Sequence, residues 1–203
     1  MNALILVDLQ NDFLPGGALA VPRGDDVLPL ANRLQSRFPL VIATQDWHPA
    51  NHASFANNHP GRQPGDVIDL HGLPQVLWPV HCVQNTSGAD FAPSLERQRI
   101  QSVFQKGTDP EIDSYSGFFD NGHRKSTGLG DYLREVGVQH VTLLGLATDY
   151  CVKATALDAR TLGFATTLVV DACRGVELTP GDCERAIEEM RRADVRIITS
   201  DQL

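Results

Sequence analysis

Six residues of this chain are of types that do chemistry, and their spacing places them where an α/β protein works. Cys151 stands in GLATDYCV, residues 145–152, just behind an apolar run and about one turn into the segment that follows. Unpaired N–H groups at a helix start favour an anion, depress the pKa of a thiol placed there and can hold an oxyanion. The reading is a thiolate in a first helical turn capped by Thr148 or Asp149. Position alone leaves Cys151 between that role and a small core side chain. Cys173 and Cys183 have no comparable setting and read as structural, and Cys82, behind His81, is left unassigned.

Asp8 and Lys106 supply what such a thiol needs. A nearby carboxylate can take the thiol proton during attack and return it to the leaving group, while an ammonium keeps the carboxylate ionised. Either residue alone has an ordinary reading, the aspartate as a turn cap and the lysine as a solvated strand end. The metal chemistry lies in TQDWHPANH, where Asp46 and His48 alternate along an extended segment and project to one side. His81, in WPVHC, can close that set from the far side of a long loop. One carboxylate and two imidazoles leave positions for water or substrate. His52, His59, His71, His123 and His140 read as polar loop residues, and whether His52 contributes to the metal set is left open.

The elements that must position these residues follow from periodicity. Short β-branched runs at 3–8, 40–46, 102–106, 141–147, 166–172 and 195–200 alternate with amphipathic segments at about 25–37, 127–136, 149–162 and 180–193. That alternation predicts βαβ units in a parallel sheet. Gly137 and Gly163 stand where C-terminal helix caps belong, and Thr179-Pro180 reads as a helix start. Open α/β sheets bind ligands beyond the carboxyl ends of their strands, near the point where strand order reverses. Asp8, Asp46 and Lys106 each end a strand and Cys151 follows one, so all four share one rim. Residues 47–101 break the pattern, being rich in Pro, His, Asn and Gly, and a loop this long inside a compact domain is usually functional.

Bulk properties exclude several classes. The chain has 203 residues, 42% of them hydrophobic, which predicts one domain over 1–203 with a substantial core. No apolar run approaches the ~18 residues of a membrane span. A formal charge of −8, with no basic cluster to offset it, argues against nucleic acid and anionic membranes as partners. The opening MNALILVDLQNDF lacks a basic leader and is interrupted by Asp8, so it reads as a core strand. With no C-x-x-C pair among the four cysteines, a reducing cytoplasm is expected.

Taken in order, VDLQNDF at 7–13, DWHP at 46–49, WPVHC at 78–82, FQKG around Lys106, SYSGFFDN at 114–121 and GLATDYCV resemble the nicotinamidases of the isochorismatase-like cysteine hydrolases. The resemblance spans nearly the whole chain. It implies a three-layer α/β/α fold with a six-stranded parallel sheet in order 3-2-1-4-5-6. It implies a triad of Asp8, Lys106 and Cys151, and a divalent metal, zinc before iron or manganese, on Asp46, His48 and His81. It further implies a cis peptide before Ala147, an oxyanion hole from the N–H groups of Ala147 and Cys151, and a ring pocket of Phe13, Leu19, Trp78, Tyr115, Ala147 and Tyr150. The activity implied is hydrolysis of nicotinamide to nicotinate and ammonia through a thioester, in NAD salvage, with pyrazinamide as a second substrate. A homo-oligomer is left open. Amidases of carbamoyl or ureido compounds share the triad but generally lack the D-x-H and W-P-x-H-C elements, and isochorismate hydrolases do not use the cysteine.

Overall fold

A computed structural model describes all residues, 1–203. Its main sheet has six parallel strands: β1 (Asn2–Val7), β2 (Leu40–Asp46), β5 (Ile100–Lys106), β6 (His140–Leu146), β7 (Ala165–Arg174) and β8 (Arg196–Ile198). They lie in the order β5-β2-β1-β6-β7-β8, the 3-2-1-4-5-6 layout. Residues 3–7 of β1 and all of β2 are buried, as expected for strands covered on both faces. The edge strand β5 alternates between half-buried and exposed positions until Lys106.

Four helices connect the strands: α1 (Val27–Gln35), α2 (Leu129–Glu135), α3 (Lys153–Thr161) and α4 (Asp182–Arg192). Chain order reverses between β1 and β6, so right-handed crossovers carry α1 and α3 to opposite faces. Gly137 and Gly163 take up left-handed conformations just beyond α2 and α3, as caps there require.

Two helix starts differ from expectation. Residues 148–152 form a π-helical turn, and α3 begins only at Lys153; Asp149 caps nothing and sends its carboxylate to the backbone of Val176 and Glu177. Likewise α4 starts at Asp182 behind a left-handed Gly181, and Asp182 reaches back to accept the Thr179 N–H at 2.8 Å. The long segment after β2 is also more ordered than its composition suggests. It contains an antiparallel hairpin of β3 (Val67–Leu70) and β4 (Leu73–Val76). Single bridges pin it elsewhere: His48 to Val83, Phe55 to Trp78, and Gln10 to Phe91.

Candidate active site and metal centre

The switch point between β1 and β6 opens onto a buried polar cluster. Strand β1 ends at Val7, and Asp8 then turns out of the sheet with φ of 49°, a conformation aspartate tolerates better than most residues. Its side chain is fully buried: Oδ1 accepts from Thr44 Oγ1 at 2.7 Å. Lys106, the last residue of β5, extends beneath it. Its ammonium donates to Asp46 Oδ1, to Ser114 O at 3.0 Å and to Cys151 Sγ at 3.3 Å. Asp8 Oδ2 lies 2.9 Å from the same nitrogen, so one buried ammonium sits among both carboxylates and the thiol. A carboxylate oxygen of Asp8 lies within 4.8 Å of Cys151 Sγ. That arrangement suits an acceptor for the thiol proton.

Electrostatics assign the resting states. Burial pushes the Cys151 thiol well above its ordinary pKa; Lys106 opposes this, and the carboxylates of Asp8 and Asp46 add to it. The thiolate expected from a helix start is thus corrected: in a dry site flanked by two carboxylates the neutral thiol is the stable form. Burial likewise raises the Asp8 carboxyl, with Lys106 offsetting part of the effect. Lys106 stays charged, because the Asp46 and Asp8 carboxylates overcome the desolvation that would favour its neutral amine.

Asp46 ends β2, and its other oxygen faces two histidines: Oδ2 is 3.6 Å from His48 Nε2 and 3.9 Å from His81 Nε2. His48 Nδ1 lies 2.9 Å from Gly107 O, and His81 Nδ1 lies 2.8 Å from Pro79 O. A carbonyl only accepts, so each Nδ1 carries the proton and each Nε2 turns its lone pair inward. Burial, reinforced by His48, drops the His81 imidazole to about 4, so it is neutral as a ligand must be. For His48, burial is outweighed by the Asp46 carboxylate, which raises it. One carboxylate oxygen and two imidazole nitrogens within 4.8 Å of one another fit a divalent cation.

Sequence reasoning gave no role to several residues that shape this site. Gln10 is wholly buried and engages both backbone groups of Asp46, accepting its N–H at 2.8 Å and donating to its carbonyl at 2.8 Å. Pairing of β1 with β2 ends at Leu6 and Ala43, so this side chain takes the place of a missing strand partner beside Asp46. A Cβ on Gly107 would lie 2.3 Å from His48 Cε1, so only glycine admits the ring. His52 is not a solvated loop histidine: it is fully buried, with its ring 4.3 Å from that of His48 and its Nε2 without a hydrogen-bond partner. Thr44 and Asp113 are buried alongside. Each acts through contacts between distant segments, which spacing along the chain does not report.

Above the cluster is a small, mostly apolar pocket. Phe13, Leu19, Trp78, Tyr115, Ala147 and Tyr150 line it together with Asp46, His48, His81, Asp113, Cys151 and Val176. Trp78 meets the Tyr150 ring edge-on at 4.8 Å and donates its indole N–H to Tyr115 Oη at 3.1 Å. The Leu146–Ala147 peptide at its base is cis. A wider, open crevice along α4 is lined mostly by charged side chains and contains none of the cavity's residues.

The isochorismatase domain family matches residues 2–202. This chain belongs to the isochorismatase family. Among characterised members it is similar to the nicotinamidase of Escherichia coli (strain K12), at 53% identity over 98% of this chain and 94% of the relative. The solved nicotinamidase and pyrazinamidase of Acinetobacter baumanii superposes with a TM-score of 0.97 at 48% identity, covering 100% of this chain and 98% of that one. A pyrazinamidase of Pyrococcus horikoshii, solved in complex with zinc, aligns at 41% identity and a TM-score of 0.79 over 98% of each chain. The isochorismatase fold thus places the reversal of strand order, the thiol and the aspartate–histidine cluster on one rim.

Proposed function

We propose that this protein is a cysteine amidohydrolase that converts nicotinamide to nicotinate and ammonia, and that it also accepts pyrazinamide. The observation that carries the reading is the Asp8–Lys106–Cys151 cluster at the floor of an aromatic-walled cavity whose rim holds Asp46, His48 and His81. Full-length similarity to nicotinamidases supports the same substrate class.

Asp8 takes the Cys151 proton as sulfur attacks the carboxamide carbon, so charge separates only in the transition state. The backbone N–H groups of Ala147 and Cys151 hold the oxyanion, and Lys106 steadies the ionised Asp8. Asp8 then returns that proton to the amide nitrogen, the C–N bond breaks to release ammonia, and a nicotinoyl thioester is left on Cys151. Water, deprotonated by Asp8, attacks that thioester and releases nicotinate with the thiol restored. Phe13, Leu19, Trp78, Tyr115 and Tyr150 hold the ring, and fixed orientation of this kind can recover ~7–11 kcal/mol of a barrier. A divalent ion on Asp46, His48 and His81 would supply a Lewis-acid partner for the ring nitrogen.

Zinc is the ion we assign, since a relative binds it and the donor set suits it, with iron or manganese as alternatives. We place the reaction in NAD salvage and in the cytoplasm, a compartment consistent with four free cysteines. No helix is long and apolar enough to cross a membrane. We treat residues 1–203 as one catalytic domain. Ammonia release from nicotinamide, with metal content measured on the same sample, tests the proposal. Turnover at stoichiometric metal is expected; preference for a ureido compound over nicotinamide would overturn it.

A further inference from the structure

We propose that Asp149 and Val176 are specificity-determining residues: Asp149 holds the segment Gly175–Glu177 against the substrate cavity, and Val176 forms the wall that decides which ring substituents fit. The inference rests on the amidase reading and extends it to substrate range.

Asp149 lies two residues before the nucleophile, in the same π-helical turn, yet does not line the cavity. It is buried, and its two carboxylate oxygens are divided between consecutive amides: Oδ1 accepts the Val176 N–H at 3.0 Å and Oδ2 the Glu177 N–H at 2.8 Å. Val176, whose amide is held this way, does line the cavity, together with Phe13 and Leu19 from the segment after β1, Trp78 from the long insert, and Tyr150 from the turn itself. The far end of the segment is fastened too. Glu177 adopts φ of 54°, and its Oε1 accepts the Cys183 N–H at 2.9 Å at the start of α4. Packing beneath is tight, since a Cβ on Gly175 would lie 2.0 Å from Cys183 Sγ and 2.9 Å from Asp149 Oδ1.

The turn that carries Cys151 therefore also fixes how closely Val176 approaches the ring. Replacing Asp149 with asparagine keeps the shape but turns one acceptor into a donor facing an N–H, so one tie is lost. Shortening Val176 removes the wall while leaving the ties intact. One methylene more or less in an apolar pocket is worth roughly 10- to 200-fold in selectivity, which sets the effect to look for.

The test is kcat/KM for nicotinamide and for its ring-methylated isomers in the unsubstituted chain, Val176→Ala and Asp149→Asn, with the rate of Cys151 alkylation measured on each. Val176→Ala is expected to raise at least one methylated isomer relative to nicotinamide by about 10-fold or more. Asp149→Asn should favour the same isomer, with KM moving more than kcat and alkylation unchanged. If Asp149→Asn does not fold, Gly175→Ala displaces the same segment by another route and should give the same preference. Unchanged selectivity in Val176→Ala, or a uniform fall on all amides with slowed alkylation in Asp149→Asn, would overturn the inference while nicotinamide turnover stood. Absence of ammonia release by the unsubstituted chain would overturn the amidase reading and this inference together.

Discussion

Lys106 and Asp46 form a fully buried ion pair that belongs to both halves of the site. The ammonium also touches the nucleophile, and the carboxylate also faces the two histidines. Burial alone would favour a protonated Asp46, but Lys106, then His48 and His81, hold its carboxyl far below the ordinary range. The pair thus keeps the Asp46 carboxylate anionic and the lysine cationic at once, and a change on one side is felt on the other.

Asp8 should set the acid limb of the pH profile. Its carboxyl must be ionised to take the thiol proton, and burial raises its pKa above the ordinary 3.8. The rate therefore falls as pH drops through that raised value, and kcat/KM against pH should show its acid limb above pH 3.8. Asp8→Asn, which cannot accept the proton, should cost about 100- to 10,000-fold in kcat/KM while the folded state survives by circular dichroism.

The histidine cluster can be probed apart from the thiol. In Gly107→Ala the new Cβ would sit 2.3 Å from His48 Cε1, so the ring must shift and lose its place beside Asp46. Metal affinity, read by competition with a chelator, should fall about 10- to 100-fold. His48→Ala or removal of the ion should weaken nicotinamide binding far more than it slows alkylation of Cys151. Normal affinity for nicotinamide in a metal-free sample would show that the cluster does not hold the ring.

Much of this site was legible because a parallel sheet delivers its reactive residues at strand ends. Asp46 and Lys106 close their strands and Asp8 follows directly on β1, so locating apolar runs located the rim. What was not legible depends on packing between segments far apart in sequence. The hairpin of β3 and β4 has strands of four residues, too short for a period to register. The π-helical turn at 148–152 shares its composition with an ordinary helix start, so the wrong cap was expected at Asp149. His52 reads as polar until the insert folds over it, and Gln10 carries no signal until β2 runs past β1.

Ring recognition separates the substrates. The aromatic walls would contact the rings of benzamide and nicotinamide alike, but benzamide offers no ring nitrogen to an ion on Asp46, His48 and His81. Its kcat/KM should be at least about 100-fold below that of nicotinamide, because an unmet polar partner is costly in a closed site. Pyrazinamide keeps a nitrogen at the matching position and should be hydrolysed. Equal rates on benzamide and nicotinamide would remove any role for the cluster in choosing the ring.

The central claim is that Cys151 carries the acyl group. Of the four cysteines only Cys151 lines the cavity, and a carboxylate oxygen of Asp8 lies within 4.8 Å of its sulfur. The direct measurement is mass spectrometry of the protein quenched with acid during turnover of nicotinamide, followed by mapping of the modified peptide. A nicotinoyl group on the peptide containing Cys151, absent in Cys151→Ala and still present in Cys173→Ala, is the predicted result. An adduct on any other cysteine, or ammonia release by Cys151→Ala at the unsubstituted rate, would contradict the account.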